Sequence, residues 1–140
     1  MKKLLFAASA FLALMGAANA SDWKLIKSDT EKNVYIDIAT AKHSDGVLHF
    51  TLMEDLKPSD GTAWKDVPLS SVTSYVAKCE HEQLAKIRST VFEGPLANGK
   101  VVSVTKFSSQ KVAFSESDVF GYIIVNACND EQQFPERPEK

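Results

Sequence analysis

The sequence holds few of the residues that announce a chemistry. Its 140 residues include two cysteines, three histidines, six glycines and five prolines. No G-x-S-x-G frames a nucleophilic serine, and there is no H-E-x-x-H, no P-loop and no glycine-rich dinucleotide turn. Hydrolase, metalloprotease and nucleotide-binding readings are therefore left without a motif. Excess positive charge is absent too: 16 Lys and Arg stand against 18 Asp and Glu, a net charge of −2. A dedicated nucleic-acid binder would be basic. Past residue 20 no apolar run is long enough to cross a bilayer. There is no C-x-x-C, no internal repeat and no linker rich in Gly, Ser or Pro.

What is present begins with a leader. Met1-Lys2-Lys3 is basic, Leu4 to Met15 is almost wholly apolar, and Ala18-Asn19-Ala20 has the small-x-small pattern of a cleavage site. This is the pattern of a bacterial secretory signal peptide, with an apolar run too short for a stable span. Cleavage after Ala20 would remove Lys2 and Lys3 and no acid, taking the charge from −2 to −4. The remainder is of one-domain size and can bury a core without a metal. No cysteine stands at the cleavage site, so an acylated anchor is not expected. The expectation is a protein soluble in the periplasm or released, with no stable membrane insertion. Residues 1–20 are the leader and 21–131 the domain. Residues 132–140, polar with Pro135 and Pro138, read as a disordered tail.

Cys79 and Cys128 are the only cysteines. Export puts them in an oxidising compartment, where a disulfide is the first reading and only one connectivity exists. A redox pair or a metal site are the rivals, and the missing C-x-x-C weighs against the first.

Hydrophobic period two dominates the chain. Trp23 to Lys27 reads as a first strand. Val34, Ile36 and Ile38 alternate with Tyr35 and Asp37, and Leu48, Phe50 and Leu52 alternate with His49 and Thr51. Asp45-Gly46 between them is a hairpin signal, so residues 34–42 and 47–55 are expected to pair. Residues 57–69, with two prolines and Gly61, read as a loop. Ser71 to Cys79, Leu84 to Phe92 and Val101 to Phe107 supply three more strands, with Glu80-His81-Glu82 as a polar break. The period then changes. Phe120, Ile123, Ile124, Ala127 and Cys128 form one stripe of a helix. Ser115 to Asp118 offer N-caps, and Asn129 can end it. A Cys79–Cys128 bridge would pin that helix to the sheet face carrying Tyr75 and Ala77.

The polar clusters have ordinary readings. Cys79-Glu80-His81-Glu82 cannot converge on one ion if neighbours point to opposite faces. His43 and His49 flank the hairpin and would face each other across it, an incomplete metal site. Glu54-Asp55 reads as a solvated pair at a strand end. Lys86 and Arg88, with Lys78 on the next strand, would form a small basic strip on the sheet. Trp64 lies in the Pro/Gly loop, where aromatic side chains often anchor partners.

Trp23-Lys24-Leu25-Ile26, Val34-Tyr35-Ile36-Asp37, and Ser70-Ser71-Val72 running through Tyr75 to Cys79 come in a distinctive order. Arg88 follows that cysteine by about ten residues, and Cys128 closes an apolar helix. In these features the chain resembles the bacterial surface-adhesin protein E-like family, over residues 22–130. The resemblance implies six antiparallel strands and a C-terminal helix tethered by a disulfide to the concave face. It also implies surface location, host extracellular-matrix proteins as partners and a homodimer. Asp37 matches the family pattern, and a turn acceptor at a strand end is its simplest role. The chain departs from the family in having no lipid-accepting cysteine and no dense basic cluster before the helix, where only Lys100, Lys106 and Lys111 are spread.

The expected fold is α+β: a curved antiparallel sheet of about six strands with one disulfide-pinned helix. The expected function is an exported, non-enzymatic binding domain that uses Trp64, Lys100, Lys106 and Lys111, with no catalytic residue, metal or cofactor. The alternative is a soluble periplasmic accessory protein with an endogenous protein or small-ligand partner. The edges of an open sheet would also allow two copies to pair.

Overall fold

The computed structural model describes residues 21–57 and 68–129. The expected leader (1–20), residues 58–67 with Trp64 in the expected loop, and residues 130–140 with the expected tail lie outside the described residues.

Among the described residues seven strands form one antiparallel sheet. They are β1 (Trp23–Ser28), β2 (Lys32–Asp37), β3 (Lys42–Ser44), β4 (Val47–Leu56), β5 (Ser70–Lys78), β6 (Gln83–Phe92) and β7 (Val101–Val112), followed by the helix α1 (Val119–Asn129). The order is β1-β2-β4-β5-β6-β7, with β3 pairing β4 beyond the end of β2. The sheet is open, with β1 and β7 as its edges.

Residues 34–42 and 47–55 do pair, but the first of them breaks into β2 and β3. Asp37 causes the break. Its carboxylate is buried and accepts hydrogen bonds from Ala39 N at 3.1 Å and Asp22 N at 3.0 Å. That closes a turn at the strand end and ties down the start of β1. The side chain is thus the turn acceptor its position implied, with two amides satisfied by one oxygen. Beyond the turn, β3 continues against β4 with Lys42 opposite His49 and Ser44 opposite Val47, and Asp45-Gly46 turn with positive φ of 53° and 71°.

Paired residues in an antiparallel sheet share a face. Val34, Ile36, Leu48, Phe50, Leu52, Tyr75, Ala77 and Leu84 all point to one side and form a single core with Ile123, Ile124 and Ala127 of the helix. Tyr75 is the hinge of that core. Its ring stacks on Phe50 at 5.3 Å and meets the edge of Phe120 at 5.0 Å. Burial pushes the Tyr75 phenol up to about 12; the Glu54 carboxylate adds to this and a bond to Thr73 opposes it.

The helix contains residues of modest propensity, so packing must hold it. Asp118 caps it, its Oδ1 accepting from Phe120 N and Gly121 N at 2.9 Å and its Oδ2 from Ser115 N at 2.8 Å. Gly121, a weak helix former, is present for a steric reason. A Cβ there would sit 2.2 Å from the Ser115 carbonyl oxygen and 2.5 Å from Glu116 Cα. The chain entering the helix therefore passes where only glycine leaves room. At the other end Cys128 is bonded to Cys79, just past β5, with Cα atoms 5.6 Å apart. The disulfide ties the helix to the sheet face of Tyr75 and Ala77.

Candidate functional site

The face away from the helix carries a cluster of bases, and strand parity decides which residues reach it. Thr73, Tyr75 and Ala77 face the core, so Val72, Ser74 and Val76 face outward. A bond of 3.3 Å between the hydroxyls of Ser74 and Thr51 agrees, since Thr51 lies between the core residues Phe50 and Leu52. Tyr75 is opposite Lys86, whereas Ser74 is opposite Arg88, with Ile87 as an extra residue between them. This bulge reverses the alternation. Lys86 is left on the helix side and Arg88 is sent to the outer side.

The basic strip expected from Lys78, Lys86 and Arg88 is therefore only partly formed. Lys78 and Arg88 share the outer face, and Lys86 does not. The cause is the inserted Ile87, since residues two apart share a face only in an unbroken strand. Two lysines of β7 take the vacant place. Lys106 is paired directly with Arg88, and Lys111 is paired with Ala85, which faces outward with Val76. Lys106 and Lys111 are five apart in sequence. An irregularity across Phe107–Ser109, with Ser109 at φ 58°, nevertheless puts them in adjacent outward rows. Such rows are roughly 7 Å apart along the strands.

Arg88, Lys106 and Lys111 make one patch, and all three are exposed. Among the described residues none of them forms an ion pair. The ion pairs found there join Lys27 to Asp29 and Lys32 to Glu54, elsewhere on the sheet. Beside the patch, in the next outward rows, lie Val104, 47% exposed, and Val101, 45% exposed. Lys100 does not join it. It sits at the start of β7, where its carbonyl accepts from Glu93 N and closes the turn through Gly94 and Asn98. It is six positions along the strand from Lys106, roughly 20 Å. Trp64 lies outside the described residues.

The histidines do not face each other. His43 is opposite Leu48 and His49 is opposite Lys42, which places the rings on opposite faces. His43 Nε2 instead lies 3.6 Å from Cys79 Sγ, beside the disulfide. Glu54 and Asp55 also diverge. Glu54 binds Lys32 on the helix side, and Asp55 accepts Leu96 N at 2.7 Å on the outer side. Among the described residues no group of three or more His, Cys, Asp or Glu could hold a metal ion. Nor is any helix there long and apolar enough to cross a membrane. An open cleft of about 410 Å³ runs between Glu82 and the strand-to-helix connection at Phe114–Glu116. No buried polar group is directed into it.

An open antiparallel sheet, a terminal helix pinned to one face by a disulfide, and a bare basic patch on the other define an α+β domain without a converging catalytic constellation among the described residues. The chain belongs to the surface-adhesin protein E family, whose model matches residues 23–129. Solved structures of Haemophilus influenzae protein E share its fold. Crystal form II of that protein is 15% identical, with a TM-score of 0.56 over 81% of this chain and 97% of the other. The protein from the non-typeable organism is 14% identical, with a TM-score of 0.53 over 76% of this chain and 75% of the other. No curated protein matches the chain.

Proposed function

We propose that the chain is an exported, non-enzymatic adhesin domain that works at the bacterial cell surface and binds host extracellular-matrix proteins. The observation that carries this reading is family membership across residues 23–129. The leader pattern of residues 1–20 supports export, and a single domain would span residues 21–131. The unpaired bases Lys106 and Lys111 on the outer face, with Lys100 at the head of β7 and Trp64 in the loop, are the contacts assigned to the partner. The reading assigns no catalytic residue, metal or cofactor. Two copies, where they join, would do so through an edge strand of the open sheet.

A second reading rests on a specific departure. Ala18-Asn19-Ala20 is not followed by cysteine, and the chain without its leader carries a charge of −4. Both favour a soluble periplasmic accessory protein with an endogenous partner. Protease shaving of intact cells producing the full chain separates the two. Loss of the protein on shaving is the result expected of the adhesin. Protection in intact cells with release on osmotic shock would establish the periplasmic reading in its place.

A further inference from the structure

We infer that the outer face of β6–β7, centred on Arg88 and Lys106, is a docking surface for an acidic, partly apolar segment of a partner protein. The inference rests on the binding-domain reading and adds to it the chemistry of the partner and a residue, Arg88, that the lysines alone did not indicate.

Three observations meet at this face. First, Arg88 and Lys106 are direct cross-strand partners. Like charges directly opposite destabilise a sheet, and among the described residues no carboxylate neutralises this pair. Lys111 in the adjacent row adds a third positive charge. A carboxylate-bearing ligand would reverse the sign of that interaction, and arginine can engage a carboxylate through two parallel N–H bonds. Second, the charge is segregated. Residues 83–112 hold five bases, of which Arg88, Lys106 and Lys111 lie on this face, and one acid, Glu93, in a chain whose net charge is −2. The remainder is therefore clearly acidic, and an acidic partner would be steered to this face and repelled by the rest. Third, Val101 and Val104 lie nearly half exposed beside the charges on the same face. Bases rimming exposed aliphatic side chains suit a segment that alternates acidic and apolar residues.

A second copy is the poorer occupant, because it would set the same positive region against itself. Arg88, Lys106, Lys111, Val101 and Val104 are all exposed among the described residues, so the face is open.

The test uses the chain from Ser21 to Lys140 with its disulfide intact. The probe is a labelled twelve-residue peptide alternating Glu with Val and Leu, compared with the same peptide carrying Gln for Glu. Fluorescence anisotropy at about 0.1 M salt, where surface charges are already partly screened, should show binding of the acidic peptide alone. Arg88→Glu and Lys106→Glu should each weaken it about tenfold or more. Lys86→Glu is the decisive control: the same charge change two residues away, on the opposite face. It should leave binding within about twofold. Lys106→Glu should also raise the melting temperature, since it converts a repelling pair into an attracting one.

Equal loss from Lys86→Glu would overturn the surface, because only the overall field would then matter. Equal binding of the Gln peptide, or binding of heparin fragments in preference to the acidic peptide, would overturn the partner chemistry. Dimerisation that Lys106→Glu abolishes would assign the face to a second copy. The two readings fail separately. Matrix capture by surface-exposed protein that survives Arg88→Glu and Lys106→Glu sinks the docking surface alone. Peptide binding by a strictly periplasmic protein sinks only the adhesin.

Discussion

Cys79 and Cys128 join the end of β5 to the last turn of the helix, with Cα atoms 5.6 Å apart and a sequence separation of 49. The helix lies mainly against β4 and has only Ile123, Ile124, Ala127 and Gly121 fully buried. Its attachment depends on that bond. Replacing both cysteines with alanine should lower stability by about 4 kcal/mol, from the loop-closure entropy restored to the unfolded chain. Urea unfolding of the double variant against the oxidised protein measures it. Retention of full stability would mean that apolar packing alone holds the helix.

Gly121 should be the most sensitive position in the helix. Alanine is ordinarily the better helix former by about 1 kcal/mol. Here its methyl group would be driven into the backbone of Ser115 and Glu116. Gly121→Ala should therefore destabilise by about 3 kcal/mol, the upper range for overpacking. Val125→Ala, at a helix position that is 48% exposed, should change stability by less than about 0.5 kcal/mol. Thermal melts of the two variants separate propensity from close approach.

Asp118 makes the helix start sensitive to acid. Burial raises the pKa of its carboxyl, but the N–H groups of Gly121, Ser115 and Phe120, with Lys27 nearby, outweigh that and hold it below the usual carboxylate range. A depressed folded pKa stabilises above the unfolded value of about 4. That contribution is lost as the pH falls through the folded value. Asp118→Ala should cost about 1 kcal/mol at neutral pH, the usual loss for a cap. The gap to wild type should close below about pH 4. A constant gap from pH 7 to pH 2 would show that the charge of the cap contributes nothing.

Tyr75 predicts the opposite limb. Its phenol is held at about 12 by burial first and the Glu54 charge second. A raised folded pKa stabilises fully below the unfolded value of about 10 and is lost as pH rises through the folded one. Tyr75→Phe keeps both ring contacts and removes the titrating group. Denaturant unfolding from pH 9 to pH 12 should fall more steeply for wild type than for the variant. Parallel curves would place the alkaline loss elsewhere.

Most of the fold was legible because alternation is a strong signal wherever one face is buried. The strands from Val34, Leu48, Ser71, Leu84 and Val101 stand near the residues where period two begins. The helix stripe at Ile123, Ile124 and Ala127 is buried as its spacing implied. Three things were not legible. Asp37 reads as a strand-end acceptor, but the split of residues 34–42 into two strands at its turn was hidden, since hydrophobicity alone would carry the strand on to Ile38. Gly121 reads as a weak helix former because the close approach that requires it belongs to the tertiary structure. The patch was hidden for a third reason. Arg88, Lys106 and Lys111 meet only through strand pairing, and Lys86 looked like the natural neighbour of Arg88. The Cys79–Cys128 bridge needed no geometry, since two cysteines allow one pairing.

The extra residue at Ile87 has a consequence for how such domains diverge. Side-chain facing in a strand is a matter of odd and even, and one inserted residue reverses it for everything downstream until a second irregularity restores it. In a relative without the insertion, the position equivalent to Arg88 by spacing would point at the helix. Its preceding neighbour would point outward. A lineage could therefore exchange the side chains shown to a partner by gaining or losing a single codon, without altering any of them. At the 14–15% identity that separates this chain from its structural neighbours, equal spacing from a shared cysteine does not guarantee an equal face.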